Sequence, residues 1–165
     1  MIQKYACLMI LLLLVSCSQE KNTDNKLHES YVFDKEKTYI ALYEDANTSV
    51  FTIQYQLTNV SKEDLLSSYI LFNFHDDILE VLLLNHESYS PYKRLGGAEN
   101  IVSLKSGETT QGSVSLEVKV DVGIELDELK ETIEDSDSVQ IQLLDTESDN
   151  VLASLWIHRF QAISE

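Results

Sequence analysis

The stretch FTIQYQLT, residues 51–58, constrains this chain more than any other. Phe51, Ile53, Tyr55 and Leu57 alternate with Thr52, Gln54, Gln56 and Thr58. Successive side chains of a β-strand point to opposite faces, so the run carries an apolar row on one face and a polar row on the other. The same period recurs in SVSLEVKVD, whose apolar row is Val114, Leu116, Val118 and Val120, and in SVQIQLL, with Val139, Ile141 and Leu143. Ile70, Phe72 and Phe74 alternate in YILFNF, as do Tyr39, Ala41 and Tyr43 in TYIALY. ILEVLLL (78–84), NIVSL (100–104) and VLASLWI (151–157) are more continuously apolar and also read as strands. Both rows of VLASLWI are partly apolar, so the pattern leaves its inward face open. The count is about eight strands, within a range of roughly seven to nine.

The segments between them hold turn-forming residues: EDANTS (44–49), HDD (75–77), KSGETTQG (105–112) and DTESDN (145–150). Gly107 and Gly112 bracket an expected hairpin connection. ELDELKETIED, residues 125–135, breaks the period-two rule. Leu126, Leu129 and Ile133 recur at three and four, which predicts one short amphipathic helix in a crossover. Short strands with one polar face, separated by turns, predict an all-β domain: antiparallel sheets packed as an immunoglobulin-like β-sandwich over residues 31–165.

Residues 1–30 do not share this pattern. LMILLLLV (8–15) follows a single positive charge, Lys4, and gives way at once to SQEKNTDNK. A membrane-spanning helix needs about 20 apolar residues, and this run is too short. Its layout is that of a signal peptide. Leu14-Val15-Ser16-Cys17 is an aliphatic residue, a tolerant position, a small residue and a cysteine. That quartet resembles the lipobox of bacterial lipoproteins. The resemblance implies cleavage between Ser16 and Cys17, with a diacylglyceryl group on the Cys17 sulfur and further fatty acylation such as palmitate. Two acyl chains anchor a protein stably where one binds marginally. Residues 17–30 then read as a lipidated cysteine and a polar tether. The expected location is the extracytoplasmic face of a cell membrane. Of the two cysteines, Cys7 leaves with residues 1–16 and Cys17 is acylated, so neither remains for a disulfide, a metal or a nucleophile.

The chain carries 28 acidic and 12 basic residues, a formal charge of −16. A surface this negative repels phosphate backbones, so no nucleic-acid partner is expected.

TSVFTIQYQLTNVSKE, YILFNF, LKSGETTQGSVSLEV and VQIQLLD, taken together, resemble the small immunoglobulin-like lipoprotein domains of Gram-positive bacteria, an uncharacterised family. The resemblance covers residues 38–157 and implies a binding or assembly domain rather than an enzyme. It transfers no site residues. Its motifs have structural explanations: Asn59 in LTNVS ends a strand and bonds its own following backbone, and Gly107 in SGET takes a positive φ at a turn.

No G-x-S-x-G elbow, H-E-x-x-H, P-loop or cysteine nucleophile is present, so no catalytic residues and no cofactor are assigned. His28, His75, His86 and His158 are scattered; only His75 with His86 suggests a zinc pair. DTESDN resembles the start of a calcium loop, but Asn150 and Trp156 stand where Gly and a bidentate Glu are needed. The acidic stretch Asp121–Asp137 reads as a solvated helix face and its flanks. No metal site is assigned. SYSPYKRLGG (88–97) holds the only proline, two tyrosines and the adjacent pair Lys93-Arg94 in an acidic chain. Tyr and Arg often anchor interfaces, so Tyr89, Tyr92, Lys93 and Arg94 form the candidate binding loop. The alternative for that loop is an ordinary crossover whose tyrosines pack on the edge of the core. The expected activity is non-enzymatic: a module that binds a protein or envelope partner. An inhibitor or immunity lipoprotein, blocking an enzyme or toxin with this loop, is the alternative.

Overall fold

A computed structural model of the chain describes residues 30–44, 49–77, 79, 83, 88–95, 101–118 and 125–164. Among them are ten strands: β1 (Tyr31–Phe33), β2 (Tyr39–Glu44), β3 (Ser49–Asn59), β4 (Leu65–Phe74), β5 (Ser88–Tyr89), β6 (Val102–Leu104), β7 (Thr109–Val118), β8 (Val139–Asp145), β9 (Val151–Trp156) and β10 (Phe160–Ser164). Two helices accompany them, α1 (Pro91–Leu95) and α2 (Leu126–Glu134). The fold is all-β with two five-stranded sheets.

β3 is the axis of the first sheet. β2 and β1 run antiparallel to it in succession along one side, and β7 runs antiparallel along the other. β10 adds to the free side of β2, and this pair is parallel. In the second sheet β4 is central, with β8 and then β9 on one side and the short β5 and β6 on the other. The two apolar rows meet between the sheets. Phe51, Ile53 and Leu57 from β3 share one core with Phe72 from β4 and with Val139, Ile141 and Leu143 from β8, nearly all without solvent exposure. Burying a side chain of this size contributes about 1.5–3 kcal/mol, so the alternation itself supplies the force that joins the sheets.

The outer face of the first sheet shows the polar half of the same alternation. Directly opposed residues bond across strands: Thr52 with Ser115 (3.0 Å), Gln111 with Gln56 (2.8 Å) and Thr58 with Thr109 (2.9 Å). Such pairs fix register, because a slip of one residue would turn the apolar row outward. Tyr55 faces Gly112 in this register, and a methyl group at Gly112 would overlap the Tyr55 ring. Gly112 is therefore a strand glycine that makes room for an aromatic ring, and the ring meets Phe33 and Phe72 at 6.3 Å each. Burial pushes the Tyr55 hydroxyl pKa upward.

Several expectations change. Asp77 and Leu79 are helical and Leu83 lies in a turn, so ILEVLLL is not a strand there. The Leu83 N–H donates to the Leu79 carbonyl (2.9 Å) and both leucines are buried. A continuous apolar run satisfies a helical turn as well as a strand, and here the spacing of four prevails. In β2 the core row is Ile40 and Leu42, while Tyr43 is exposed; the tyrosines of TYIALY belong to the outer row. There, the Tyr39 hydroxyl donates to Gln54 (2.7 Å). The 105–108 connection is not a hairpin, because β6 pairs with β4 in one sheet and β7 with β3 in the other. Gly107 does hold a positive φ of 76° there, in the crossing between sheets. The expected helix is α2, with Leu129 and Ile133 buried and Leu126 exposed. α1 is a second helix, and β1, β5 and β10 are additional strands. In β9, Ala153 and Leu155 stand opposite the core residues Leu143 and Ile141, and Ile157 just beyond is buried. Trp156 stands opposite Gln140 on the outer face.

Asn59 ends β3 with no exposed surface. Its Oδ1 accepts from the Ser61 N–H (3.0 Å) and hydroxyl (2.7 Å). Its Nδ2 donates to the carbonyls of Glu63 (2.8 Å) and Leu104 (3.1 Å). The Asn59 backbone pairs with the same crossing, its N–H donating to Glu108 and its carbonyl accepting from Gly107, both at 2.9 Å. Asn59→Ala removes the carboxamide donor from the buried Leu104 carbonyl and leaves the Glu63 carbonyl to the Ser61 hydroxyl, and is expected to cost about 1–3 kcal/mol. Asn59→Asp is expected to cost more, because it turns an acceptor oxygen toward those carbonyls. Urea unfolding checks both: the midpoint should fall with the slope unchanged.

Candidate functional site

The 88–97 loop begins as a strand edge. Ser88 and Tyr89 pair with Asn73 and Phe72 of β4, and Tyr89 packs half-buried against the core. Ser90 and Pro91 then start a helix in the manner their chemistry favours. Ser90 is buried, donates its hydroxyl to the Ile70 carbonyl (2.8 Å) and accepts from the Lys93 N–H at 3.5 Å. Serine at the N-cap and proline at the first helical position are both preferred, because the N-terminal amides have no partners within the helix. The "SP" of SYSPYKRL is thus a helix start, and α1 is its single short turn of helix.

α1 returns its side chains to the domain. The Tyr92 ring stacks on that of Tyr69 with centroids 5.0 Å apart and planes 20° from parallel. Lys93 Nζ lies 5.1 Å from the centre of the Tyr69 ring and 3.5 Å from the Asp149 carboxylate. The Tyr69 hydroxyl donates to the same carboxylate. Tyr69 belongs to β4 and Asp149 to the β8–β9 turn, so four side chains from three places form one clip. The turn presents Asp149 at a φ of 55°. It is shaped by Asp145, whose Oδ1 accepts from the N–H groups of Glu147 (3.0 Å) and Ser148 (2.8 Å) and from the Ser148 hydroxyl (2.8 Å).

Each charge responds to its partners. Burial, and then the bond to Asp149, raises the Tyr69 hydroxyl pKa. The Tyr69 hydroxyl holds the Asp149 carboxyl below its ordinary range, with Lys93 adding to the effect. Contact with Tyr69 raises the Lys93 ammonium. Backbone and hydroxyl donors from Ser148, then Glu147, lower Asp145. These are proton affinities of a structural lock, and the Asp145 and Asp149 carboxylates of DTESDN are occupied by it rather than turned toward a cation. Among the described residues no group of three His, Cys, Asp or Glu side chains is placed to hold a metal ion.

Of the four loop residues singled out from the sequence, Tyr92 and Lys93 meet in the clip and Tyr89 lies apart at the core edge. Arg94 follows in the α1 backbone. Tyr89 also borders a cleft of about 430 Å³ between the β5–β6 edge of one sheet and β7 of the other, with Tyr55, Pro91, Val102 and Val114. Ser16, Cys17, His28 and His86 lie outside the described residues. The His75 and Trp156 rings meet at a steep angle with centroids 5.0 Å apart, and His158 lies 3.3 Å from Asp137. Sequence reasoning did not find Tyr69 or Asp149 as partners of the loop, since the three segments are far apart in the chain, Tyr69 and Asp149 themselves by 80 residues. The one available signal was Tyr69 itself, a large aromatic on the nominally outer row of β4, which needs a cover.

No protein-family model matches the chain, and no curated protein is significantly similar to it in sequence.

The clip makes stability depend on pH at both extremes. Asp149, lowered in the fold, stabilises above the ordinary carboxyl value of 3.8, and that contribution is lost as pH falls through its lower folded value. Tyr69 and Lys93, both raised, stabilise below their ordinary values of 10.0 and 10.5 and lose that contribution as pH rises through the folded ones. Tyr69→Phe is expected to lower the melting temperature at pH 7 by roughly 2–5 °C. The gap from the wild type should narrow below pH 3.8 and above pH 10.0; thermal melts across that range check it.

Proposed function

We propose that this protein is a lipid-anchored, extracytoplasmic binding and assembly module without enzymatic activity. The observation that carries the reading is Leu14-Val15-Ser16-Cys17, which stands between an apolar run and a polar segment ahead of the β domain. Cleavage before Cys17 and acylation of its sulfur would leave the domain on a tether of about a dozen residues, spanning roughly 20 Å by coil scaling. A rigid two-sheet body with turns at its ends is a scaffold on which partner contacts are carried by loops and edges.

An immunoglobulin-like connectivity is part of this reading. It is supported by the order in which the chain changes sheets: β3 to β4, β6 to β7, β7 to β8 and β9 to β10 each pass from one sheet to the other. The partner would be a protein or a polymer of the envelope. Attachment to the membrane keeps the module where such a partner is abundant, so modest affinity suffices through effective concentration. The inhibitor or immunity reading has less to stand on, because Tyr92 and Lys93 already engage Tyr69 and Asp149.

Comparison of wild type with Cys17→Ala tests the anchor. The wild-type protein should fractionate with membranes, lack residues 1–16 and carry diacylglyceryl mass on Cys17. The variant should be unacylated and either uncleaved or released. Equal mass and equal membrane retention in the two would overturn the reading.

A further inference from the structure

A second concavity lies where the turn after β1 meets β9 and the link to β10. It encloses about 430 Å³, within the range of small-ligand sites. Three of its features point to one ligand chemistry. Trp156 forms one wall and stands on the outer face of the second sheet, its ring tilted 61° to that of His75 at 5.0 Å. A tryptophan held this way presents a flat apolar plate in a wet setting. Thr38, also in the lining, is 1% exposed, and its Oγ1 has no hydrogen-bond partner among the described residues. Buried hydroxyls are ordinarily bonded, so this one keeps an unused bonding capacity just beneath the cleft lining, reached when a ligand displaces the side chains over it. Lys35 and Arg159 supply cations against Glu36 as the lining carboxylate, so the lining is net positive in a chain of charge −16. Glu36 lies 3.4 Å from Arg159, whereas no ion pair engages Lys35 among the described residues.

A sugar ring has an apolar C–H face and a rim of hydroxyls, and an acidic sugar adds a carboxylate. We propose that the Trp156 cleft binds an acidic saccharide unit. The ring packs on Trp156, a hydroxyl reaches Thr38, and the carboxylate meets Lys35. The inference rests on the binding-module reading only for the source of the sugar, an envelope polymer; the chemistry of the cleft is independent of the anchor.

The chain has one tryptophan, so its fluorescence reports this cleft alone. Purified full-length chain is titrated with D-glucuronate, with D-glucose, which lacks the carboxylate, and with acetate, which lacks the ring. Glucuronate should give a saturable change with a dissociation constant in the millimolar range or tighter, about fivefold tighter than glucose. Acetate should give none. Lys35→Gln should abolish the preference for glucuronate and leave glucose unchanged. Thr38→Val should weaken both sugars about three- to tenfold while the melting temperature stays at or above that of the wild type. The proposal is overturned by no saturable change up to about 100 mM sugar, by an equal response to acetate, or by variants that bind as the wild type does. In the last case the Thr38 hydroxyl serves a water. Sugar binding by a chain that proves unacylated would leave the site standing and remove the anchor, so the two readings fail separately.

Discussion

Asn59 is the point at which this fold is tied. Its carboxamide uses both donor and acceptor sides, and its backbone uses both again, so one fully buried residue joins the end of β3, the 61–63 turn, the end of β6 and the 107–108 crossing. Those segments belong to different sheets. The apolar core attracts the sheets without direction, and burial alone would tolerate several rotations of one sheet over the other. A satisfied polar cluster at one end removes that freedom, because any other arrangement leaves desolvated carbonyls unpaired. The Tyr55–Gly112 pairing does comparable work at mid-strand: the ring occupies the space a side chain would take, which locks β7 in one register against β3.

The sequence was informative where a single strand decided the matter. Alternation in residues 51–58, 113–118 and 138–144 is a local consequence of one face lying against a core, and those strands are present with the expected rows inward. The short helix at 126–134 followed from Leu129 and Ile133 for the same reason. What could not be read depends on pairing between distant segments. VLASLWI is apolar on both rows, and only the opposition of Ala153 and Leu155 to Leu143 and Ile141 settles its inward face. β10 has no strong alternation of its own and is a strand because β2 offers it an edge. At Leu79 and Leu83, the two described residues of ILEVLLL, β propensity and helical spacing conflict, and their packing four residues apart rules out a strand there.

The 88–97 loop shows the same division. Its composition sets it apart in an acidic chain, but composition cannot tell an outward charge from an inward one. Lys93 and Tyr92 cover Tyr69, a residue that would otherwise leave a large aromatic face on the outside of the sheet. Trp156, on the same side of the second sheet, meets the ring of His75. Of the two outward aromatics, one has a lid from its own chain and the other borders an open cleft.

The parallel pairing of β10 with β2 bears on how the chain comes to be folded. Residues 160–164 complete the sheet whose opposite partner strands begin at residue 39 and residue 49. Chains are made and moved N-terminus first, so the first sheet has to wait, one edge uncovered, until nearly all of the described sequence is free. A domain closed by its latest strand stays slack through most of its synthesis and hardens only when that last segment joins.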